Sequence, residues 1–173
     1  MKKVIVIVSV IAMVVLLIFG TTYKQVNKDY LRIHIRANSN TQIDQLVKYE
    51  IKDSVVQLMT PKVANCESFE DVKDCFEENL SVIDNLCNNI LKAKGFNYVA
   101  KSKLATEEFP TRTYNGYTLE NGFYDAVIIE LGEAKGDNWW CVLYPPLCFT
   151  NACTGKNVVY KSRILDLING FKK

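Results

Sequence analysis

The chain has almost no imidazole: His34 is the single histidine in 173 residues. That scarcity excludes a histidine-built metal centre and leaves one side chain to serve any nucleophile that needs a neutral base. Cysteine occurs six times, yet Cys66, Cys75, Cys87, Cys141, Cys148 and Cys153 include no Cys-x-x-Cys pair, so zinc-site spacing is missing. Excess charge is missing too. The formal net charge is +2 and apolar content is ordinary, which leaves neither a nucleic-acid footprint nor the signature of disorder. There is no nucleophile-elbow sequence. The run from Gly132 to Gly136 lacks the spacing and the Gly-Lys-Ser/Thr ending of a phosphate loop. There is no internal repeat and no low-complexity tract. No metal, cofactor, small-molecule substrate or nucleic acid is expected.

The remaining catalytic options are thin. His34 sits between Arg32 and Arg36 on the polar side of an alternating segment. Those cations disfavour an imidazolium and point to surface or anion contact rather than catalysis. Asp125, Glu130, Glu133 and Asp137 are the candidates for a paired-carboxylate hydrolase, but acids at strand ends are common. The expectation is a protein with no catalytic residues, not an enzyme.

What is present begins with Met1-Lys2-Lys3 and then seventeen uncharged residues, Val4 to Gly20. Residues 1–22 read as a signal peptide or membrane anchor, with the basic start inside and the rest exported. Residues 23–29 read as a linker, and 30–173 as one extracytoplasmic domain with its own core. In an exported domain the six cysteines leave many connectivities open. The pairing expected is Cys141 with Cys148, with the other four undecided; Cys75 and Cys87 fall in a predicted helix and read as buried thiols.

Tyr30 to Ala37 alternates, with Leu31, Ile33, Ile35 and Ala37 on one face, as in a half-buried strand. Ser39 with Gln42 fits a capping box for a helix to Leu58 that buries Ile43, Val47, Ile51, Val55 and Leu58 and stops at Pro61. Ser68 with Asp71 caps a second helix to Lys94, ended by Gly95. Strands follow over Phe96–Ala105, over Thr111–Leu119 with a bulge or turn at Asn115-Gly116, over Phe123–Leu131 after an Asn121-Gly122 turn, and over Asn138–Tyr144. Val158–Phe171 reads as a closing helix. The order predicts an α+β domain: an antiparallel sheet of about five strands in a meander, with two or three helices packed on one face.

The chain is organised around Leu131–Cys148, LGEAKGDNWWCVLYPPLC. Extended backbone puts Trp139 and Trp140 on opposite sides, one indole inward and one outward. Pro145 and Pro146 stiffen the loop between Cys141 and Cys148. The outward tryptophan, Tyr144 and the Pro145-Pro146 corner make a rigid aromatic surface suited to docking a partner.

These residues resemble the stage II sporulation protein R family of endospore-forming bacteria. The resemblance rests on RIHIRANSNTQIDQLVKYEIKDSV (Arg32 to Val55) and FPTRTYNGYTLENGFYDAVIIELGEAKGDNWWCVLYPPLCF (Phe109 to Phe149). It picks out His34, Asn38, Ser39, Asp44, Gln45, Lys48, Gly132, Gly136 and Asn138 as motif residues of unknown role, beside Trp139, Trp140, Cys141, Pro145, Pro146 and Cys148. It implies an intercellular signal made in the forespore and exported to the intermembrane space, secreted or held by its N-terminal segment. The implied partner is a membrane-embedded aspartic protease of the mother cell that processes pro-sigma-E. An extracytoplasmic envelope hydrolase or wall-binding module is the alternative.

Overall fold

The computed structural model describes residues 26–149 apart from 115. The N-terminal apolar run, Cys153 and the predicted helix Val158–Phe171 lie outside the described residues. The elements run β1 (Val26–Arg36), α1 (Gln42–Val63), α2 (Phe69–Glu78), α3 (Leu80–Ala93), β2 (Ala100–Phe109), β3 (Arg112–Tyr114), β4 (Tyr117–Leu119), β5 (Gly122–Leu131), β6 (Asn138–Tyr144) and a 3-10 turn at Leu147–Phe149. β1 thus starts inside the stretch read as linker.

The α+β class is as expected, but the sheet is mixed rather than antiparallel. Its order is β2-β5-β1-β6, with β1 parallel to β5 and antiparallel to β6. β3 and β4 form a separate two-stranded hairpin. The meander fails because β1 and β5 are each buried on both faces, which only central strands can be. β6 therefore leaves β5 and pairs on the far side of β1, placing His34 between Ile128 and Trp140.

On one face Leu31, Ile33 and Ile35, all fully buried, meet the three helices through Ile51, Phe76 and Ile83. The other face carries a second, smaller core of Phe109, Tyr124, Ala126 and Ile128, with Tyr30 and Trp140 packed against it.

The helices correct several sequence readings. The N-cap of α1 is Thr41, whose hydroxyl accepts from the Asp44 amide, not Ser39. Val47, Ile51 and Val55 of the expected α1 stripe are buried, but Asp44 and Lys48 are buried with them, whereas Ile43 is 60% exposed. Pro61 lies inside the last turn rather than ending the helix. Ser68 and Asp71 do form a capping box, but the predicted second helix is two. It breaks at Asn79, whose side-chain amide donates to the Cys75 carbonyl at 2.7 Å. Gly95 follows α3 with φ +80°, a left-handed conformation that suits glycine at a helix end. The Asn88 side chain then pairs with both backbone groups of Ala100 (2.7 and 3.1 Å), fixing where β2 begins.

Candidate functional site

Most motif residues of unknown role converge on one place, the end of the sheet where β1 stops, α1 starts and β5 turns into β6. Asp44 is buried and its carboxylate accepts from Ser39 Oγ (2.5 Å), Tyr98 Oη (2.6 Å) and Asn38 Nδ2 (2.9 Å). Burial alone would raise its pKa, but hydrogen bonds from Ser39, Tyr98, Asn38 and Thr41 outweigh this and hold the carboxyl below its ordinary range. Gln45 donates to the Ser39 carbonyl (2.9 Å) and accepts from Lys48 Nζ (2.6 Å). Lys48 is buried and also donates to the Asp137 carbonyl at 3.0 Å. Desolvation lowers the Lys48 pKa, partly opposed by the Asp137 charge.

The glycine turn closes over this cluster. Gly136 N donates to the Ala37 carbonyl (2.9 Å) and Glu133 N to Asn38 Oδ1 (2.9 Å). A Cβ on Gly136 would sit 2.2 Å from the Ser39 carbonyl oxygen, and one on Gly132, at φ +56°, 2.3 Å from Asn38 Oδ1. Both positions therefore need glycine for close approach, and Gly132 also for its backbone conformation. Asn38, Ser39, Asp44, Gln45, Lys48, Gly132 and Gly136 are one interlocked knot of loops. Tyr98, which sequence reasoning missed, completes it.

The polar side of β1 is not solvated, contrary to the alternation reading. Arg32 is fully buried, with its guanidinium carbon 4.1 Å from the Phe109 ring centroid and 4.9 Å from that of Tyr124. Its Nη2 donates to Tyr114 Oη at 2.7 Å. His34 is 6% exposed, sits 5.3 Å from the Trp140 ring, and pairs through Nδ1 with Glu107 at 3.0 Å. Desolvation lowers its pKa against the pull of Glu107, with Arg36 lowering it further, which favours the neutral ring. Arg36 is bound by both Glu107 (2.5 Å) and Glu130 (2.8 Å). The hydrogen-bond partner of His34 is a carboxylate, not a thiol or hydroxyl; Glu107 was missed because only the β2–β5–β1 register brings it there. The sequence signal for it is the pair His34 and Arg36 on one strand face, two basic side chains that an acid on a neighbouring strand can serve together.

Three of the four candidate carboxylates are engaged by cations. Asp125 holds Lys73 (2.8 Å), Glu130 holds Arg36 and Lys103, and Glu133 pairs with Lys135. No cluster of three metal-ligating side chains occurs among the described residues.

The two tryptophans do face opposite sides of β6, but neither is simply inward or outward. Trp139 packs on the helix-covered core with Lys52 Nζ 5.8 Å from its ring, and Trp140 on the smaller core with Arg112 4.3 Å from its ring. Both are half-buried. Asn138, at the start of β6, lies opposite Arg36 of β1, and its side chain favours protonation of His34. Tyr144 meets Phe69 edge-on at 6.1 Å. Pro145 follows a cis peptide bond and is buried, while Pro146 is half-buried. Cys141 and Cys148 are joined in a disulfide with Cα atoms 6.0 Å apart. Cys66, Cys75 and Cys87 are free thiols. Burial, with the Asp84 charge, pushes the Cys87 thiol up to about 12.

Together these features make a mixed-sheet α+β domain whose motif residues lock loops and present an aromatic edge. Residues 27–154 match the family model described as stage II sporulation protein R. The chain belongs to that family, and its role lies in sporulation. It is 34% identical over 128 residues to stage II sporulation protein R of Bacillus subtilis (strain 168), a match covering 74% of this chain and 57% of that protein. The chain thus spans little more than half the length of that relative. No solved structure matches it.

Proposed function

We propose that this chain is an exported signalling protein of sporulation that acts by contact on a membrane-embedded aspartic protease and promotes processing of pro-sigma-E. Residues 1–22 direct it from the forespore into the intermembrane space, and residues 30–173 form its extracytoplasmic domain. The observation that carries the reading is family membership over residues 27–154. Supporting it, the lone histidine is buried and paired with Glu107, an arrangement that fits a structural role for that side chain. A ligand shifts a protease toward its active state only through unequal affinity for the two states.

The contact surface proposed is the β6 edge: Trp139 and Trp140 with Tyr144 and the Pro146 corner. Half-buried indoles held by packing on one side lose little freedom on binding, and tryptophan is common among residues that dominate interfaces. Trp139→Ala and Trp140→Ala test this in full-length protein. At least one variant should keep its melting temperature within a few degrees and lose most pro-sigma-E processing. Two well-folded variants that both signal like the parent would remove this edge as the docking site.

A further inference from the structure

Two thiols meet at the corner between α1 and α2. Cys66 lies in the turn after α1, where its amide donates to the Val63 carbonyl at 3.0 Å. Its Sγ lies 3.7 Å from the Lys62 carbonyl oxygen and 3.5 Å from that of Asp71. Asp71 stands one helical turn before Cys75 in α2. Side chains on a helix lean toward its N-terminus, so the Cys75 sulfur comes back over the Asp71 turn, where Cys66 Sγ sits. The two thiols hydrogen-bond to each other. Burial, then the charge and hydrogen bond of Cys75, then the Asp71 charge push the Cys66 thiol up to about 11.

This pair differs from Cys87. Cys66 and Cys75 are half-buried at the edge of the larger core, open to a small reagent, whereas Cys87 is fully buried within it. The chain between the two sulfurs is also held in place. The Asp71 carboxylate accepts from the amides of Glu67 and Ser68, both at 3.0 Å, and the Ser68 hydroxyl accepts from the Asp71 amide at 3.1 Å. Little freedom is therefore left for a bond between Cys66 and Cys75 to remove from the folded state. The same domain carries one oxidised pair, Cys141–Cys148, so conditions that form that bond suit a second.

We propose that Cys66 and Cys75 are a dithiol modification site that oxidises to a second disulfide and staples the start of α2 to the end of α1. The oxidant is an external disulfide. One cysteine, as its thiolate, attacks a sulfur of that disulfide and releases one external thiol, leaving a mixed disulfide. The other cysteine then attacks the protein sulfur, forms the Cys66–Cys75 bond and releases the second external thiol. Two protein thiols are oxidised, one external disulfide is reduced, and the two thiol protons leave with the products. The staple holds the half of α2 that carries Phe69 against Tyr144. It depends on neither the protease reading nor the tryptophan edge.

The test treats full-length protein, its Cys141–Cys148 bond intact, with excess oxidised glutathione, then alkylates the remaining thiols and maps peptides without reduction. Trypsin cuts after Lys73, between Cys66 and Cys75, and a glutamate-specific protease cuts after Glu77 and Glu78, between Cys75 and Cys87. Most molecules should yield one cross-linked species that joins Cys66 to Cys75 and separates on reduction, with Cys87 alkylated only after unfolding. Closing a loop of about ten residues should also raise the melting temperature of the treated protein by at least about 5 °C over the untreated protein. Cys75→Ser should show neither the cross-link nor the rise. Cys66 and Cys75 both alkylated, both left carrying glutathione, or either joined to another cysteine overturns the proposal. A cross-link without the rise in melting temperature overturns the staple.

Discussion

Asp44→Ala is the perturbation that probes the loop knot most sharply. The carboxylate is buried and takes three side-chain donors, from Ser39, Tyr98 and Asn38, at 2.5 to 2.9 Å. Removing it takes the shared acceptor from the Tyr98 hydroxyl, the Asn38 amide and the Ser39 hydroxyl, all three on half-buried residues. A hydrogen bond to a charged group contributes about 1.5–3 kcal/mol net, and a stranded buried donor costs about 1–3 kcal/mol. Because the three donors share one acceptor, their effects do not simply add, and the expected loss is about 3–5 kcal/mol. That is a large share of a domain's total, about 5–15 kcal/mol. Asp44→Asn keeps one acceptor and should lose about half as much. The assay is urea unfolding of the full-length protein, read as a shift in midpoint at constant slope. A double-mutant cycle with Tyr98→Phe should return a coupling of at least about 1 kcal/mol. The folded-state pKa of Asp44 is depressed, so its contribution is complete above about pH 4 and is lost as pH falls further. A loss below about 1 kcal/mol for Asp44→Ala, or a coupling near zero, would refute the knot as a stabilising unit.

Three further outcomes are expected. Gly136→Ala drives a methyl into the Ser39 carbonyl, and the backbone shift it forces should cost about 1–3 kcal/mol in the same urea assay, against near-neutrality if the loop simply yields. Opening the Cys141–Cys148 bond by a double serine substitution releases a loop of about eight residues and should cost about 2.5 kcal/mol on the chain-entropy model; unreduced peptide mapping should find the two cysteines linked. Burial lowers the His34 pKa in the fold below that of the unfolded chain, about 6.5, so stability should decline as pH falls below about 6.5, and His34→Gln should flatten that decline.

The local elements were largely legible because their signals are local. The alternation of Leu31, Ile33 and Ile35, the Ser68–Asp71 capping box, the Gly95 stop and the Asn138–Tyr144 strand depend on neighbours in sequence. What was not legible depends on long-range pairing. Arg32 and His34 read as solvent-facing because the second core that buries them comes from Phe109, Tyr124 and Trp140, which reach β1 only through the β2-β5-β1-β6 order. The burial of Asp44 and Lys48 beside the expected α1 stripe was hidden because both look like surface residues until Tyr98 and the Asp137 carbonyl supply their partners. The cluster of motif residues beside the Gly132–Gly136 turn likewise needed the fold to show that it holds loops together.

The measurement that bears most directly on the proposed function is reconstitution of the signal from its parts. Full-length chain is expressed with the membrane-embedded protease and pro-sigma-E in a host that has no other sporulation proteins, and cleavage is followed by the size of the sigma factor. The account predicts cleavage that depends on exported chain, persists in a folded His34→Gln variant, and drops in the well-folded tryptophan variant. Cleavage that is equally strong without the chain, or that vanishes in a folded, exported His34→Gln protein, would contradict signalling by contact.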